Sequence, residues 1–240
     1  NAFPEAYKED VSPWVASYDV ANAAAAERGE PGIMSLYRPR VPRSGIVRFK
    51  LFRMGAPIPL SDVLPILENL GLHIVNERPY ELHLSGGQRL WIQDFDMQPA
   101  QGGEIDLARV RSLFEEAFQR TLEGDAENDG FNRLVIASQM HWRQVAVLRA
   151  YCKYLLQTNI PFSPAYMADA ITRHPGMSRL LVEMFEARFD PARESESRES
   201  RETAQRRLGR LLQSIFADAC GSDPALSGFV DDGVAARKGS

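Results

Sequence analysis

The chain has 240 residues, of which 44% are hydrophobic and 25% are charged, and its formal net charge is -4. These values are ordinary for a globular protein that buries a core, and without a basic excess they give no reason to expect a nucleic-acid partner. No apolar run reaches membrane-spanning length, and no signal peptide opens the chain. Two cysteines, Cys152 and Cys220, are too few for a disulfide framework, so we expect a reducing, cytoplasmic location.

The N-terminal region, residues 1–43, is predicted to contain a helix and an edge strand. It begins with Asn1 and Ala2 instead of an initiator methionine, so we interpret the chain as a piece of a longer polypeptide. A helical pattern begins at Pro13, and the short apolar segment Ile33–Arg38 is typical of a strand.

Residues 44–124 carry the pattern of an α+β domain. In Ile46–Arg53, apolar side chains alternate with Arg48 and Lys50, which is typical of a half-buried strand. The alternation predicts that Phe49 faces the core and that Lys50 faces solvent, so Phe49→Ala should be costly and Lys50→Ala nearly neutral.

The remainder of this domain gives the order helix, strand, strand, helix. The first helix can be capped by Ser61 or Asp62, and the last by Asp106. Together with the preceding strand, this is the order of a ferredoxin-like fold that lacks its last strand. We expect Ile33–Arg38 to fill the vacant edge by pairing antiparallel with Ile46–Arg53, because a bare edge would expose unpaired backbone groups.

Beyond Gly124 the pattern becomes helical. Residues 125–191 are predicted to form a helical segment, in which Leu134–Ala137 is a short helix and Cys152 a buried apolar side chain. Residues 192–240 are predicted to be a charged linker followed by a poorly defined C-terminal tail.

None of the polar groups in the sequence has the spacing of a known metal or catalytic site. Asp125–Gly130 resembles the start of a calcium loop, but the twelfth position is Ile136 and not the glutamate that the loop requires. His73 and His83 lie on one strand without cysteine or carboxylate partners at ligand spacing. Asp94 and Asp96 alternate on a strand, and we interpret them as part of a solvated sheet end. We therefore predict no catalytic residue, no metal and no cofactor in this chain.

Long motifs in residues 3–191 resemble the large bacterial NAD-specific glutamate dehydrogenases. They include Phe3–Tyr7, Ser35–Pro39, Arg48–Leu51, Pro59–Gly71, Glu77–Tyr80, Ala126–Val135, Leu148–Tyr151 and Phe185–Pro191. The resemblance fades from Ala192 onward. In that family such motifs belong to an N-terminal region of ACT-like modules and helices that precedes the catalytic domain.

This resemblance implies an α+β, ferredoxin-like (ACT-like) antiparallel sheet with two helices, followed by an all-helical segment. It also implies that NAD and the catalytic residues belong to other parts of a parent enzyme that deaminates glutamate oxidatively. The expected role is regulation and assembly within a homo-oligomer, and the expected partner is the catalytic domain of the parent chain. The loop Met54, Gly55, Ala56 and Pro57 is the candidate contact for a small effector, ahead of Asn69 and Gly71. A purely architectural module without a ligand is the alternative.

Overall fold

The computed structural model describes residues 3–39, 45–157, 162–193 and 199–210. One sheet contains β1 (Met34–Tyr37), β2 (Val47–Met54), β3 (Leu72–His83) and β4 (Arg89–Pro99). The helices whose two ends are both described are α1 (Glu5–Asp10), α2 (Pro13–Glu27), α3 (Leu60–Asn69), α4 (Leu107–Leu122), α5 (Leu134–Ala137), α6 (Trp142–Leu156), α7 (Pro164–Arg173) and α8 (Pro175–Phe189).

The chain divides into two compact units, residues 1–146 and 147–240. The first unit holds the sheet, and the second unit holds α7 and α8. The segment limits predicted at residues 43, 124 and 191 stay predictions. Of the predicted linker and tail at 192–240, residues 199–210 are helical, and most of the remainder lies outside the described residues.

The sheet has the order β1-β2-β4-β3, and all of its pairs are antiparallel. β1 pairs with β2 so that Leu36 lies opposite Phe49 and Tyr37 opposite Arg48. The predicted edge pairing is therefore confirmed, as is the ferredoxin-like arrangement followed by helices. The N-terminal strand occupies the position that the last strand takes in the usual chain order.

One face of the sheet packs against α3 and α4. Phe49 is fully buried there, and its ring makes edge-to-face contacts with Phe114 and Phe118 at centroid distances of 5.1 and 5.0 Å. Asp106 caps α4, as predicted, by accepting a hydrogen bond from the amide of Ala108. α3 begins at Leu60 after Pro59 without a side-chain cap, so the predicted capping by Ser61 or Asp62 is wrong.

The opposite face of the sheet is covered by α1 and α2. Side chains from both helices form one apolar cluster with Phe52 and with residues of β3 and β4: Tyr7, Val11, Ala23, Ala26, Tyr80, Leu82, Leu90 and Ile92. The alternating pattern of β2 predicted a half-buried strand. Both faces of that strand are instead buried, because helices lie on both sides of the sheet.

Each free edge of the sheet carries a feature that opposes further strand pairing. On β1, the amide of Leu36 donates a hydrogen bond to the carboxylate of Glu115 (2.8 Å). On β3, the register shifts between Ile74 and Asn76, and Pro79 has no backbone N–H to donate. Short strands, bulges and prolines are common protections of sheet edges.

Candidate functional site

A buried network of charges lies beneath α2, on the sheet face that also holds the apolar cluster. Asp19 of α2 is 2% exposed, accepts a hydrogen bond from the Tyr7 hydroxyl (2.5 Å) and pairs with the Nζ atom of Lys50. Lys50 is 0% exposed, and its Nζ also lies 3.7 Å from a carboxylate oxygen of Asp94. The prediction that Lys50 faces solvent is therefore wrong, because α2 covers this end of the strand and provides its counter-charge.

The network continues across β2, β4 and β3. Arg48 contacts Asp94 at 2.6 Å and Asp96 at 3.0 Å, and Arg78 contacts Asp96 at 2.6 Å. Asp94 is 0% exposed, and burial raises its pKa despite the opposing effect of Lys50 and Arg48. The interpretation of Asp94 and Asp96 as a solvated sheet end is wrong, since both carboxylates are buried and paired.

Every charged member of this network has an opposite charge within the sheet or on α2. Proton transfer to a substrate requires a titratable group that can reach that substrate, and Lys50 and Asp94 are fully enclosed. The arrangement attaches α2 to the sheet by buried ion pairs, whose geometry specifies how the two fit together. Asp19 is the one acidic residue in α2 before Glu27, and it was the only sign in that helix of a buried ion pair. Its partner on β2 could not be identified from the sequence, because it depends on how the helix lies across the paired strands.

Glu115 of α4 lies at the free edge of β1. Its Oε1 atom accepts the Leu36 amide, and burial raises the pKa of Glu115 more than this bond and Arg111 lower it. Arg111 precedes Glu115 by one helical turn, and its positive charge acts to lower the pKa of Glu115. Glu115 is directed to the strand edge.

A cavity of about 370 Å³ opens beside this edge, within the first unit. α2, β1 and α4 line it with Trp14, Val15, Tyr18, Asp19, Asn22, Met34, Ser35, Tyr37, Arg111 and Glu115. Sequence reasoning missed it, because these residues come from three separated segments. No single segment has the spacing of a site.

The predicted effector loop lies at the end of β2. Gly55 has a φ of +84° and its amide donates to the carbonyl of Arg89 (2.8 Å), while Met54 packs against the apolar cluster. Gly55, Ala56 and Pro57 are exposed. The loop therefore presents a short backbone surface to solvent.

The two less favoured effector positions lie elsewhere in the first unit. The Asn69 side chain donates to Asn128 (2.9 Å), and Gly71 has a φ of +89° after the end of α3. The loop formed by Met54, Gly55, Ala56 and Pro57 and these two positions do not line the cavity beside β1.

The described residues contain no group of three or more histidine, cysteine, aspartate or glutamate side chains placed to hold a metal ion. Cys152 is buried, as predicted, and burial raises the pKa of its thiol. Among the described residues, no helix is both long and apolar enough to cross a membrane.

Curated relatives of this chain are NAD-specific glutamate dehydrogenases. The proteins from Halomonas elongata, Pseudomonas aeruginosa and Mycobacterium tuberculosis are 47%, 39% and 33% identical over 80%, 88% and 79% of this chain. The matched part is 12% to 13% of each relative's own length, so the chain spans about an eighth of them.

Three family models match consecutive parts of the chain. They are glutamate dehydrogenase helical motif 2 over residues 1–26, the ACT3 domain over 32–110 and helical motif 3 over 126–191. The chain belongs to the NAD-specific glutamate dehydrogenase family. The resemblance seen in the sequence is confirmed.

The glutamate dehydrogenase segments correspond to features of the fold. Helical motif 2 contributes α1 and most of α2, which cover one face of the sheet. The ACT3 match runs from before β1 into the first turn of α4. The buried pair of Asp19 and Lys50 therefore joins helical motif 2 to the ACT3 domain.

Proposed function

We propose that this chain is a regulatory and assembly segment of a large NAD-dependent glutamate dehydrogenase and that it carries no catalytic residue itself. The observation that carries this proposal is the match to an ACT3 domain between two helical motifs, within about an eighth of the relatives' length. The parent enzyme would convert glutamate to 2-oxoglutarate and ammonia, with NAD bound by a part of the parent outside this chain.

The partners in this proposal are the catalytic domain of the parent chain and further copies of that chain in a homo-oligomer. The compartment is the cytoplasm. The loop Met54, Gly55, Ala56 and Pro57 is the proposed effector contact, and the exposure of its last three residues supports this role. The described charges of the buried network are paired with one another, which agrees with a non-catalytic segment.

A purely architectural role is the second candidate. The ion pairs between α2 and the sheet favour it, because they hold helical motif 2 and the ACT3 domain in one arrangement. In that case the segment would shape the parent enzyme without binding a small molecule.

The non-catalytic part of the proposal is tested with the 240-residue chain alone. We expect no glutamate-dependent reduction of NAD and no saturable binding of NAD in a calorimetric titration. The full-length parent enzyme is the positive control. Saturable NAD binding by the chain alone would contradict the assignment.

The effector part is tested by titrating amino acids and nucleotides into the same chain and into two variants. Ala56→Glu adds a charge to the proposed loop, and Gln101→Glu adds the same charge to an exposed position that follows β4. A regulatory loop predicts saturable heat that Ala56→Glu abolishes and Gln101→Glu retains. Heat unaffected by Ala56→Glu would remove the loop from the proposal, and no heat with any titrant would favour the architectural role.

A further inference from the structure

A cavity of about 410 Å³ lies in the second unit, where α8 meets the helix at residues 199–210. The described residues that line it are Arg188, Arg201, Glu202 and Gln205. Its volume lies within the range of small-molecule sites, which is about 300 to 1,000 Å³. Each of these four side chains is polar or charged, so the cavity suits a polar ligand.

The packing of the two helices brings two arginines to one place. Arg188 lies in the last turn of α8. One turn earlier in α8, the Cε atom of Met184 lies 3.8 Å from the position that a Cβ atom would take at Gly209. Arg201, about two turns before Gly209, lines the same cavity as Arg188. The helix at 199–210 therefore runs antiparallel to α8, and this direction places its arginine at the end of α8.

Neither arginine has a carboxylate partner among the described residues. Arg188 and Arg201 make no hydrogen bond or ion pair with any part of the chain that the structure describes, and the Nε atom of Arg201 is buried. The guanidinium group of Arg188 lies 5.4 Å from the ring centroid of Phe189. A buried donor without an acceptor is destabilising, and like charges that face one cavity repel each other. An anion in the cavity would relieve both effects.

The other two lining residues leave the free charge of the cavity positive. Gln205 has no hydrogen-bond partner among the described residues, so its amide can donate to a ligand. Glu202 is the one carboxylate of the described lining, and it already takes part in another interaction. An anion with two negative charges would match both guanidinium groups, whereas an anion with one charge would leave one of them unmatched.

We propose that this cavity binds a phosphate group, either as free phosphate or as part of a small metabolite. The guanidinium groups of Arg188 and Arg201 donate hydrogen bonds to the phosphate oxygens, which match the planar guanidinium fork, and the amide of Gln205 donates another. A phosphate dianion carries its two charges on one compact group, as two converging arginines require. The inference does not depend on the proposed regulatory role, and its residues are not those of the proposed effector loop.

Calorimetric titrations of the 240-residue chain, at about pH 8 and constant ionic strength, test the proposal with three probes. Inorganic phosphate and glycerol 3-phosphate are dianions under these conditions, and acetate carries a single charge. We expect saturable binding of at least one of the two phosphates. Acetate should bind at least about tenfold more weakly, since it can match only one guanidinium group.

The two phosphate probes also distinguish the sources of the ligand. Tighter binding of glycerol 3-phosphate would identify a phosphorylated metabolite, and binding of inorganic phosphate that is equal or tighter would identify free phosphate. No saturable binding of either phosphate, or equal binding of acetate, would overturn the proposal.

Two arginine variants of the same helix locate the site. Arg201→Gln should weaken the binding of the tighter phosphate probe about tenfold or more. Arg207→Gln removes the same charge at an exposed position that is not among the described lining residues, so it should change the affinity less than about twofold. In the unsubstituted chain, the Nε–H resonance of Arg201 should shift on binding and that of Arg207 should not. Equal affinities of the two variants, or an unchanged Arg201 resonance, would contradict the proposal.

Discussion

Lys50 lies at the centre of the buried charge network, between Asp19 and Asp94. We expect Lys50→Ala to lower the free energy of unfolding by about 3–5 kcal/mol, because removing one partner leaves buried carboxylates uncompensated. Urea unfolding followed by circular dichroism measures the change. Lys8→Ala is the matched control, since Lys8 pairs with Glu5 on the surface, where an ion pair contributes about 0–1 kcal/mol. Equal effects of the two variants would mean that the network does not stabilise the fold.

Phe49 tests the apolar side of the same strand. Phe49→Ala should cost about 3–5 kcal/mol, because the ring fills the space between the sheet and α4. Arg53→Ala changes an exposed position of the same strand and should be nearly neutral. Urea unfolding of both variants compares them. A small effect of Phe49→Ala would contradict the register that places this ring in the core.

At the scale of single residues, the alternation of apolar and polar side chains correctly predicted that Phe49 is buried, but it wrongly predicted that Lys50 is exposed. Period-two patterning identifies the two faces of a strand, and it says nothing about what covers the polar face. That information lay in Asp19, about 30 positions away, whose pairing depends on how α2 lies across the sheet. The predicted loop at Met54, Gly55, Ala56 and Pro57 came from family resemblance and stays a prediction.

The edge strand β1 can be examined through one amide. Glu115→Ala should speed hydrogen exchange of the Leu36 amide about tenfold, because that amide loses its acceptor. The matched control is Glu116→Ala, the next residue of α4, whose carboxylate contacts His141 and Trp142 instead. Nuclear magnetic resonance resolves the individual amides. Faster exchange of Leu36 in both variants would indicate a general loosening of α4 and not the loss of this bond.

The N-terminal elements should be necessary for solubility. Deleting residues 1–43 removes β1, α1 and α2, and it exposes both the edge of β2 and the apolar cluster around Phe52. We expect the remainder to aggregate, as measured by sedimentation. A deletion of residues 1–31 retains β1 and separates the two causes, because it exposes only the sheet face. A soluble, folded 44–240 chain would contradict the proposed coverage.

At the scale of elements, local sequence patterns predicted much of the sheet but not the helices α1 and α2 that cover its second face. The order of strands and helices followed from alternation, helical periodicity and the requirement that β2 have two neighbours. The packing of α1 and α2 on the far side had no local signal, because α2 is rich in alanine and shows no clear apolar stripe.

Across the whole molecule, buried and half-buried carboxyl groups determine part of the dependence of stability on pH. Burial raises the pKa of Glu77, Asp94 and Glu115 above the usual values of 4.5, 3.8 and 4.5. Between the usual and the raised pKa of each group, the folded state holds more protons than the unfolded state. The contribution of each group to stability therefore falls as the pH rises through that interval.

Glu115→Gln and Glu116→Gln should show opposite pH dependence. Glutamine at position 115 keeps an acceptor for Leu36 and removes the buried charge, so this variant should gain stability relative to the wild type as the pH rises from about 4.5 to 7. At Glu116 burial also acts to raise the pKa, but the bonds from Trp142 and His141 lower it overall. Glu116→Gln should therefore lose stability relative to the wild type as the pH rises towards about 4.5, with little further change up to about pH 7. Urea unfolding at pH values below and above about 4.5 measures these differences, and equal pH dependence of the two variants would contradict both assignments.

The protected edges of the sheet would limit wrong strand pairing while the proposed long parent polypeptide folds during its synthesis. Strands that leave the ribosome one after another can join the wrong neighbour while the remainder of the chain is still being synthesised. In this segment, Glu115 occupies the amide of Leu36 on one edge, and the irregularity after Ile74 and the imide nitrogen of Pro79 interrupt the other. Once residues 1–122 have folded, this sheet is a poor template for a later strand. In the proposed parent enzyme, this sheet would therefore be closed to further strands while the remainder of the subunit is synthesised.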